Sequence, residues 1–315
     1  MNPITSTRVA QILGCSPWGG PWQAWARLTG LVESEPGNAS TLRGQILERA
    51  VAEHYAQQRG LVLIPGPAYT EPPHVGPEPW MATHEDYQVS APPPTTIPVA
   101  IPVGEYHPTW TRKRWVLEVK TARTLDAWGP DGSADVPIYY AAQCAWHMAC
   151  LNMDRCDLVV FAVATDEMRT YTLHRDRAME ARLVAHLRSW YERHIIGGQP
   201  PEVDAGASPV LAKLFPGREE RVFLPPTDED RAIAAELREL DQQRTILDGR
   251  ADLLKARLQQ RIGDAYGIEG VCTWAPTKGR RTIDAEALRR DHPAIAEQYT
   301  RTGAPSRRFT LTEKE

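Results

Sequence analysis

From Cys156 to Val163 the chain reads Cys-Asp-Leu-Val-Val-Phe-Ala-Val, an apolar run without the alternation of a half-exposed strand. A run this short suits a strand, and a strand apolar on both faces has to be covered on both. That demands helices on either side of a sheet, and the neighbouring segments offer them. Leu42 to Arg59 carries Ile46, Leu47, Ala50, Val51, His54 and Tyr55 along one helical face. Pro137 to Cys150 and Met179 to His194 also read as helices, while Arg114 to Thr121 has the β-branched and aromatic content of a strand. The order helix, strand, helix, strand, helix predicts an α/β layer fold. With 315 residues, 42% of them hydrophobic and 24% charged, there is material for one large domain or two ordinary ones.

Proline marks the breaks. Many of the 27 prolines fall between Pro65 and Pro108, among them Pro92-Pro93-Pro94, Pro98 and Pro102, which predicts loops and edge segments around short strands. Further breaks lie at Gly197-Gly198-Gln199-Pro200-Pro201 and at Leu224-Pro225-Pro226-Thr227. After the last of these, Ile233, Leu237, Leu240, Leu247, Leu254, Leu258 and Ile262 recur at helical steps, with Thr227 or Asp228 as the N-cap. The pattern predicts one long amphipathic helix, or two broken near Asp248-Gly249. A short strand near Val271 to Trp274 and a helix from Asp284 complete the tail. The predicted division is 1–225 for the α/β domain and 226–315 for a mainly helical C-terminal extension.

Charge narrows the function. Lys and Arg number 36 against 40 Asp and Glu, a formal net charge of −4, which excludes a uniformly basic nucleic-acid binder but not a local basic groove. No segment approaches the ~18 apolar residues of a membrane span, and no basic-then-apolar leader follows Met1, so a cytoplasmic protein is expected. The five cysteines lack Cys-x-x-Cys spacing, which argues against a zinc ribbon, a disulfide framework or an iron–sulfur cluster and for reduced, buried thiols.

The sharpest local feature is Glu118-Val119-Lys120. Residues two apart on a strand share a face, so a carboxylate and an ammonium project together from an apolar segment. Burying both is costly unless they pair or bind something. Glu48 sits on the first clear helix, the acidic pair Glu85-Asp86 runs into a strand-like segment, and Gln143 lies on the helix after the Glu-x-Lys strand. A helical Glu, an acidic residue at a strand, Glu-x-Lys, then a helical Gln is the order of a PD-(D/E)XK nuclease core.

Together these segments resemble the YqaJ-type viral recombinase family, the phage alkaline exonucleases similar to lambda exonuclease. Gln11-Ile12-Leu13-Gly14-Cys15-Ser16-Pro17-Trp18 resembles the family's opening motif, and Leu42 to Glu48 its Gly-x-x-x-Glu helix. Leu117 to Thr121 resembles its Glu-x-Lys strand and Tyr140-Ala141-Ala142-Gln143 its Tyr-x-x-Gln helix. Thr273-Trp274 and Arg307-Arg308-Phe309 resemble a C-terminal extension of phage members. The resemblance implies a restriction-endonuclease-like core, a mixed sheet flanked by helices, and a metal-dependent exonuclease. Such an enzyme degrades one strand of linear double-stranded DNA, 5′→3′, for bacteriophage recombination. Where the family shows Ala-Thr-Pro-Asp, this chain has Ala82-Thr83-His84-Glu85-Asp86. Glu85 matches without a gap and Asp86 with a one-residue shift; we favour Asp86, because its shorter side chain holds a metal closer to the strand.

The implied site follows. Asp86 (alternatively Glu85), Glu118, the Val119 carbonyl and Glu48 would hold Mg²⁺ or Mn²⁺, as hard cations take oxygen ligands. Lys120 would orient or deprotonate the attacking water, and Gln143 would position it. Arg8, then Arg43, are the candidates for a terminal 5′-phosphate, with Tyr140 nearby. Trp18, Trp22 and Trp25 suit either base stacking or, by their spacing, a buried helix face. His84 and His147 lack a partner at metal-ligand spacing and are expected to be structural. DNA ends, a single-strand annealing protein and further copies in a ring trimer are the partners implied. The alternatives are an endonuclease of the same fold and a catalytically degenerate DNA- or partner-binding module.

Overall fold

The computed structural model describes residues 2–33, 37–67, 71–91, 113–217, 221–279, 282–301 and 307–312. Pro92 to Pro108, singled out above, lie outside them. The chain forms two compact units, Met1–Phe215 and Pro216–Glu315.

The first unit opens with α1 (Ser6–Ile12), α2 (Pro21–Leu28) and α3 (Ala39–Arg59). Then come β1 (Val62–Pro65), β2 (His74–Val75), β3 (Ala82–Thr83), β4 (Tyr87–Ser90) and β5 (Arg114–Ala122). After α4 (Ile138–Leu151) the strands β6 (Arg155–Ala162) and β7 (Glu167–His174) precede α5 (Arg177–Tyr191), a π-helical turn at Glu192–Ile196 and α6 (Ser208–Leu214). Five strands make one mixed sheet in the order β1-β4-β5-β6-β7. Only β5 and β6 run parallel, with α4 as the crossover between them. This is the mixed, helix-flanked sheet of the restriction-endonuclease-like core expected from the resemblance.

Alternation on β5 and β6 sorts the core. Val116, Leu158 and Val160 pack with Cys144 and Met148 of α4, while Leu117, Val119 and Val159 pack with Val51, Ala52 and Tyr55 of α3. The buried stripe of α3 is therefore rotated from the predicted one: Ile46, Ala50 and His54 are exposed. Asn38 caps α3 through the backbone N–H groups of Ser40 and Thr41, satisfying donors that a helix start leaves orphaned. A third cluster gathers Val9 and Ile12 of α1, Trp22 and Trp25 of α2 and Trp146 of α4. Cys144, Cys150 and Cys156 are buried free thiols.

In the second unit α7 (Asp228–Ile262) is a single helix of 35 residues, unbroken at Gly249 and capped by Thr227 with Asp230. A two-stranded pair, β8 (Gly267–Ile268) and β9 (Cys272–Thr273), follows, then α8 (Ala285–Asp291), capped by Asp284, and α9 (Pro293–Tyr299). No helix among the described residues is long and apolar enough to cross a membrane.

Candidate active site

The site is built where β4 stops. β4 and β5 pair antiparallel from Ser90↔Arg114 to Tyr87↔Leu117. Past Leu117 that side of β5 is open, and Asp86 fills the gap with its side chain: its Oδ2 accepts the Val119 N–H at 2.8 Å. The Val119 carbonyl projects to the same side, because both backbone groups of a strand residue point one way. Gly66 fixes the approach of this segment. Its N–H donates to the Asp86 carbonyl at 2.9 Å, and a Cβ there would lie 1.9 Å from the Glu85 carbonyl oxygen. No side chain is tolerated at that spacing.

Glu118 and Lys120 share the face of β5 that meets α4. Lys120 Nζ pairs with Glu118 Oε1, and Gln143 Nε2 donates to the same oxygen at 2.6 Å. Burial would push the Glu118 carboxyl up, but the Lys120 ammonium and the His147 ring hold it down at about 2. His147 is fully buried one turn beyond Gln143. Its Nδ1 meets the Thr83 hydroxyl at 2.6 Å, and its Nε2 lies 3.1 Å from Glu118 Oε2, off the axis of a hydrogen bond. His147→Ala should open a buried void and strip both neighbours. The expected cost is about 1–3 kcal/mol, read as a lower denaturant midpoint, with His147→Gln losing less.

Across the sheet, α3 brings in Glu48. Burial, then the Glu118 charge, raise its carboxyl, while Lys120 opposes the shift. Asp86 is raised further, well above the carboxylate range, by burial and by Glu118 and Glu48, against Lys120 and the Val119 N–H. Three carboxylates thus share one ammonium and repel one another. These are hard oxygen donors in negative excess, the donor chemistry that a divalent cation takes, so the residues fit such an ion. Among the described residues no three His, Cys, Asp or Glu side chains already converge as a metal cluster.

A cavity of about 610 Å³ opens here, lined among others by Arg8, Arg27, Glu48, Asp86, Val119 and Lys120. Arg8 and Arg27 enter from α1 and α2. Burial and the Arg27 charge lower Arg8 to about 10, so it remains cationic at neutral pH. Arg8 Nη1 donates to Gln11 Oε1 at 3.0 Å, and Arg27 Nε is buried without a hydrogen-bond partner. Two guanidiniums held together against their repulsion form a place for an anion.

Of the residues singled out in the sequence, Glu48, Asp86, Val119, Lys120 and Arg8 line this cavity, and Glu118 and Gln143 are bonded directly beside it. Glu85 does not line it. Its buried carboxylate takes His74 Nδ1 at 2.9 Å and Gln88 Nε2 at 2.8 Å. Arg43 is not among the lining residues either, and Tyr140 lies under Lys120, whose Nζ is 5.5 Å from the ring centroid. Sequence reasoning missed Arg27 and the contact of His147 with Glu118. The spacing of four between Gln143 and His147, one face of a helix, could have found the second. Nothing local marks Arg27.

Residues 2–154 match the family model of the YqaJ-like viral recombinase domain. No curated protein matches the sequence. Among solved structures, the chain is similar to an alkaline exonuclease from Laribacter hongkongensis, at 16% identity over 62% of this chain and 89% of that one, with a TM-score of 0.44. The same enzyme in complex with dAMP gives 17% identity, the same coverage and a TM-score of 0.45. A phage-related exonuclease from Haemophilus somnus 129PT gives 14% identity over 62% and 96%, with a TM-score of 0.39.

Proposed function

We propose that this chain, similar over residues 2–154 to the YqaJ-like viral recombinase domain, is a divalent-metal-dependent exonuclease that degrades one strand of linear duplex DNA. The observation that carries the reading is the meeting of Glu48, Asp86 and Lys120 with the Arg8–Arg27 pair in one cavity, with Glu118 bonded to Lys120 beside it. Asp86, Glu118, Glu48 and the Val119 carbonyl would hold Mg²⁺ or Mn²⁺. When bound, that ion supplies charge neutralisation at the phosphoryl oxygens and lowers the pKa of water.

The chain's own groups do the rest. Lys120 sits next to the carboxylates, where an ammonium orients the attacking water and offsets negative charge developing on the phosphate. Gln143 fixes the Glu118 carboxylate by a direct hydrogen bond, so its oxygen does not swing away. Arg8 and Arg27 would take the terminal phosphate, the first as the sequence suggested and the second added by its place in the cavity. Arg43 and Tyr140 take supporting parts, Tyr140 as the surface beneath Lys120. The reading extends to 5′→3′ polarity, to a role in phage recombination with an annealing protein, and to a homo-oligomer such as a ring trimer.

The test is Mg²⁺-dependent loss of end-labelled linear duplex beside a closed circle. Wild type should consume the linear DNA alone, and Lys120→Ala should slow it roughly 10²- to 10³-fold. Equal attack on the circle would mean an endonuclease. Binding without cleavage in a folded sample would mean a degenerate binding module.

A further inference from the structure

The three tryptophans that share helical spacing part company in the fold. Trp22 and Trp25 are buried in the core, whereas Trp18 lies ahead of α2 and is 61% exposed. A lone exposed aromatic calls for no explanation. Trp18 is not alone: its ring meets Tyr139 edge-on at 5.0 Å and lies 6.0 Å from Tyr140, and Tyr140 is the ring under Lys120 Nζ. A single aromatic ring therefore separates the indole from the ammonium of the site. The backbone beneath it is pinned at both ends, the Trp18 N–H donating to Ser16 Oγ at 3.2 Å and its carbonyl accepting from Gln11 Nε2 at 3.5 Å. Gln11 is the buried side chain that also receives Arg8. One residue thus ties the exposed indole to a guanidinium of the cavity.

We infer that Trp18, backed by Tyr139, is a stacking platform for an unpaired nucleobase of the DNA end whose phosphates enter the Arg8–Arg27 cavity. The inference rests on the nuclease reading of that cavity. The chemistry is that of sequence-tolerant single-strand binding, in which a cationic groove follows the backbone while an aromatic face takes any base. An exonuclease working into a duplex must part the terminal pair, and an indole within about three nucleotide steps of the reacting phosphate, at ~3.4 Å per step, gives the parted base a resting place.

The experiment uses the full chain and a linear duplex with two unpaired terminal nucleotides, one of them 2-aminopurine. Binding is measured without divalent metal so that no cleavage intervenes, and cleavage is measured separately with Mg²⁺. Wild type should quench the fluorophore. Trp18→Ala should abolish the quench and weaken binding roughly 5- to 150-fold, the range for losing one base–aromatic stack. In cleavage the loss should fall on KM, and Trp18→Phe should recover most of it. The melting temperature should not move, since the side chain is exposed. Unchanged affinity and an intact quench in Trp18→Ala, with Mg²⁺-dependent cleavage present, would overturn the platform and leave the nuclease reading standing. Quenching that depends on Trp18 in a protein that never cleaves would support the platform and sink the nuclease. Absence of DNA binding altogether would overturn both.

Discussion

Asp86→Asn is expected to abolish cleavage and raise the melting temperature at once. Burial and the neighbouring Glu118 and Glu48 carboxylates push Asp86 well above the ordinary carboxylate range. Its folded pKa thus exceeds its unfolded value of about 3.9, so the folded state binds the extra proton. The stability this group contributes is complete below the unfolded value and is lost as pH rises through the folded one. Asparagine is neutral throughout, and its carbonyl oxygen can still accept the Val119 N–H. The variant should therefore melt a few degrees higher above that window, at ~2–4 °C per kcal/mol, and converge on wild type as pH falls. The same substitution removes a ligand from the proposed ion, and the rate should fall roughly 10⁴-fold, several kcal/mol of lost transition-state stabilisation. Mg²⁺ should raise the melting temperature of wild type and leave the variant unmoved. If Glu85→Gln gives this pattern and Asp86→Asn does not, the ligand is Glu85.

The choice between those two residues shows where the sequence stops being legible. Glu85 and Asp86 are equally acidic and adjacent, and the local difference between them, side-chain length, favours Asp86 without placing either one. What separates them is the pairing register of β4 with β5, which runs out at Tyr87↔Leu117 and leaves Asp86 opposite an unpaired Val119 N–H. Register is a property of two strands far apart in sequence, so it is invisible to periodicity in either. By contrast β5, α4 and β6 were readable, because their side chains pack against one another with periods of two and near four. The edge strand β7, whose residues are mostly half-exposed, carries charges at Glu167 and Arg169 and a polar run that resembles a loop. α1 and α2 span only two turns each, and they and the loop between them deliver Arg8, Arg27 and Trp18. The Glu118–Lys120 strand was legible, and of the cavity wall opposite only Arg8 was.

Asp157→Ala should be among the most destabilising single substitutions in the first unit. The carboxylate lies wholly inside the protein between β5, β7 and α3. Arg155 gives it two hydrogen bonds, at 2.9 and 2.7 Å, the Trp115 indole N–H one at 2.6 Å, and the Thr172 hydroxyl one at 2.8 Å. The Tyr55 hydroxyl also donates to it, and burial together with this bond raises the phenol well above its usual pKa. Alanine would leave these donors facing a void, and breaking a buried charged network by removing its centre costs about 3–5 kcal/mol. At ~2–4 °C per kcal/mol the melting temperature should drop by roughly 6–20 °C. Arg155→Ala should cost less, because the guanidinium side chain is 36% exposed and water can replace it. The consequence reaches the site. Tyr55 lies two helical turns beyond Glu48 on α3, so the carboxylate that clamps Tyr55 also fixes the helix that carries Glu48. Asp157→Asn, which keeps the shape and weakens the clamp, should stay folded at low temperature with a reduced cleavage rate, while Thr227→Ala at the cap of α7, which carries none of the proposed site residues, should leave that rate alone. A loss of less than about 1 kcal/mol in Asp157→Ala would mean that apolar packing, not this carboxylate, holds α3 on the sheet.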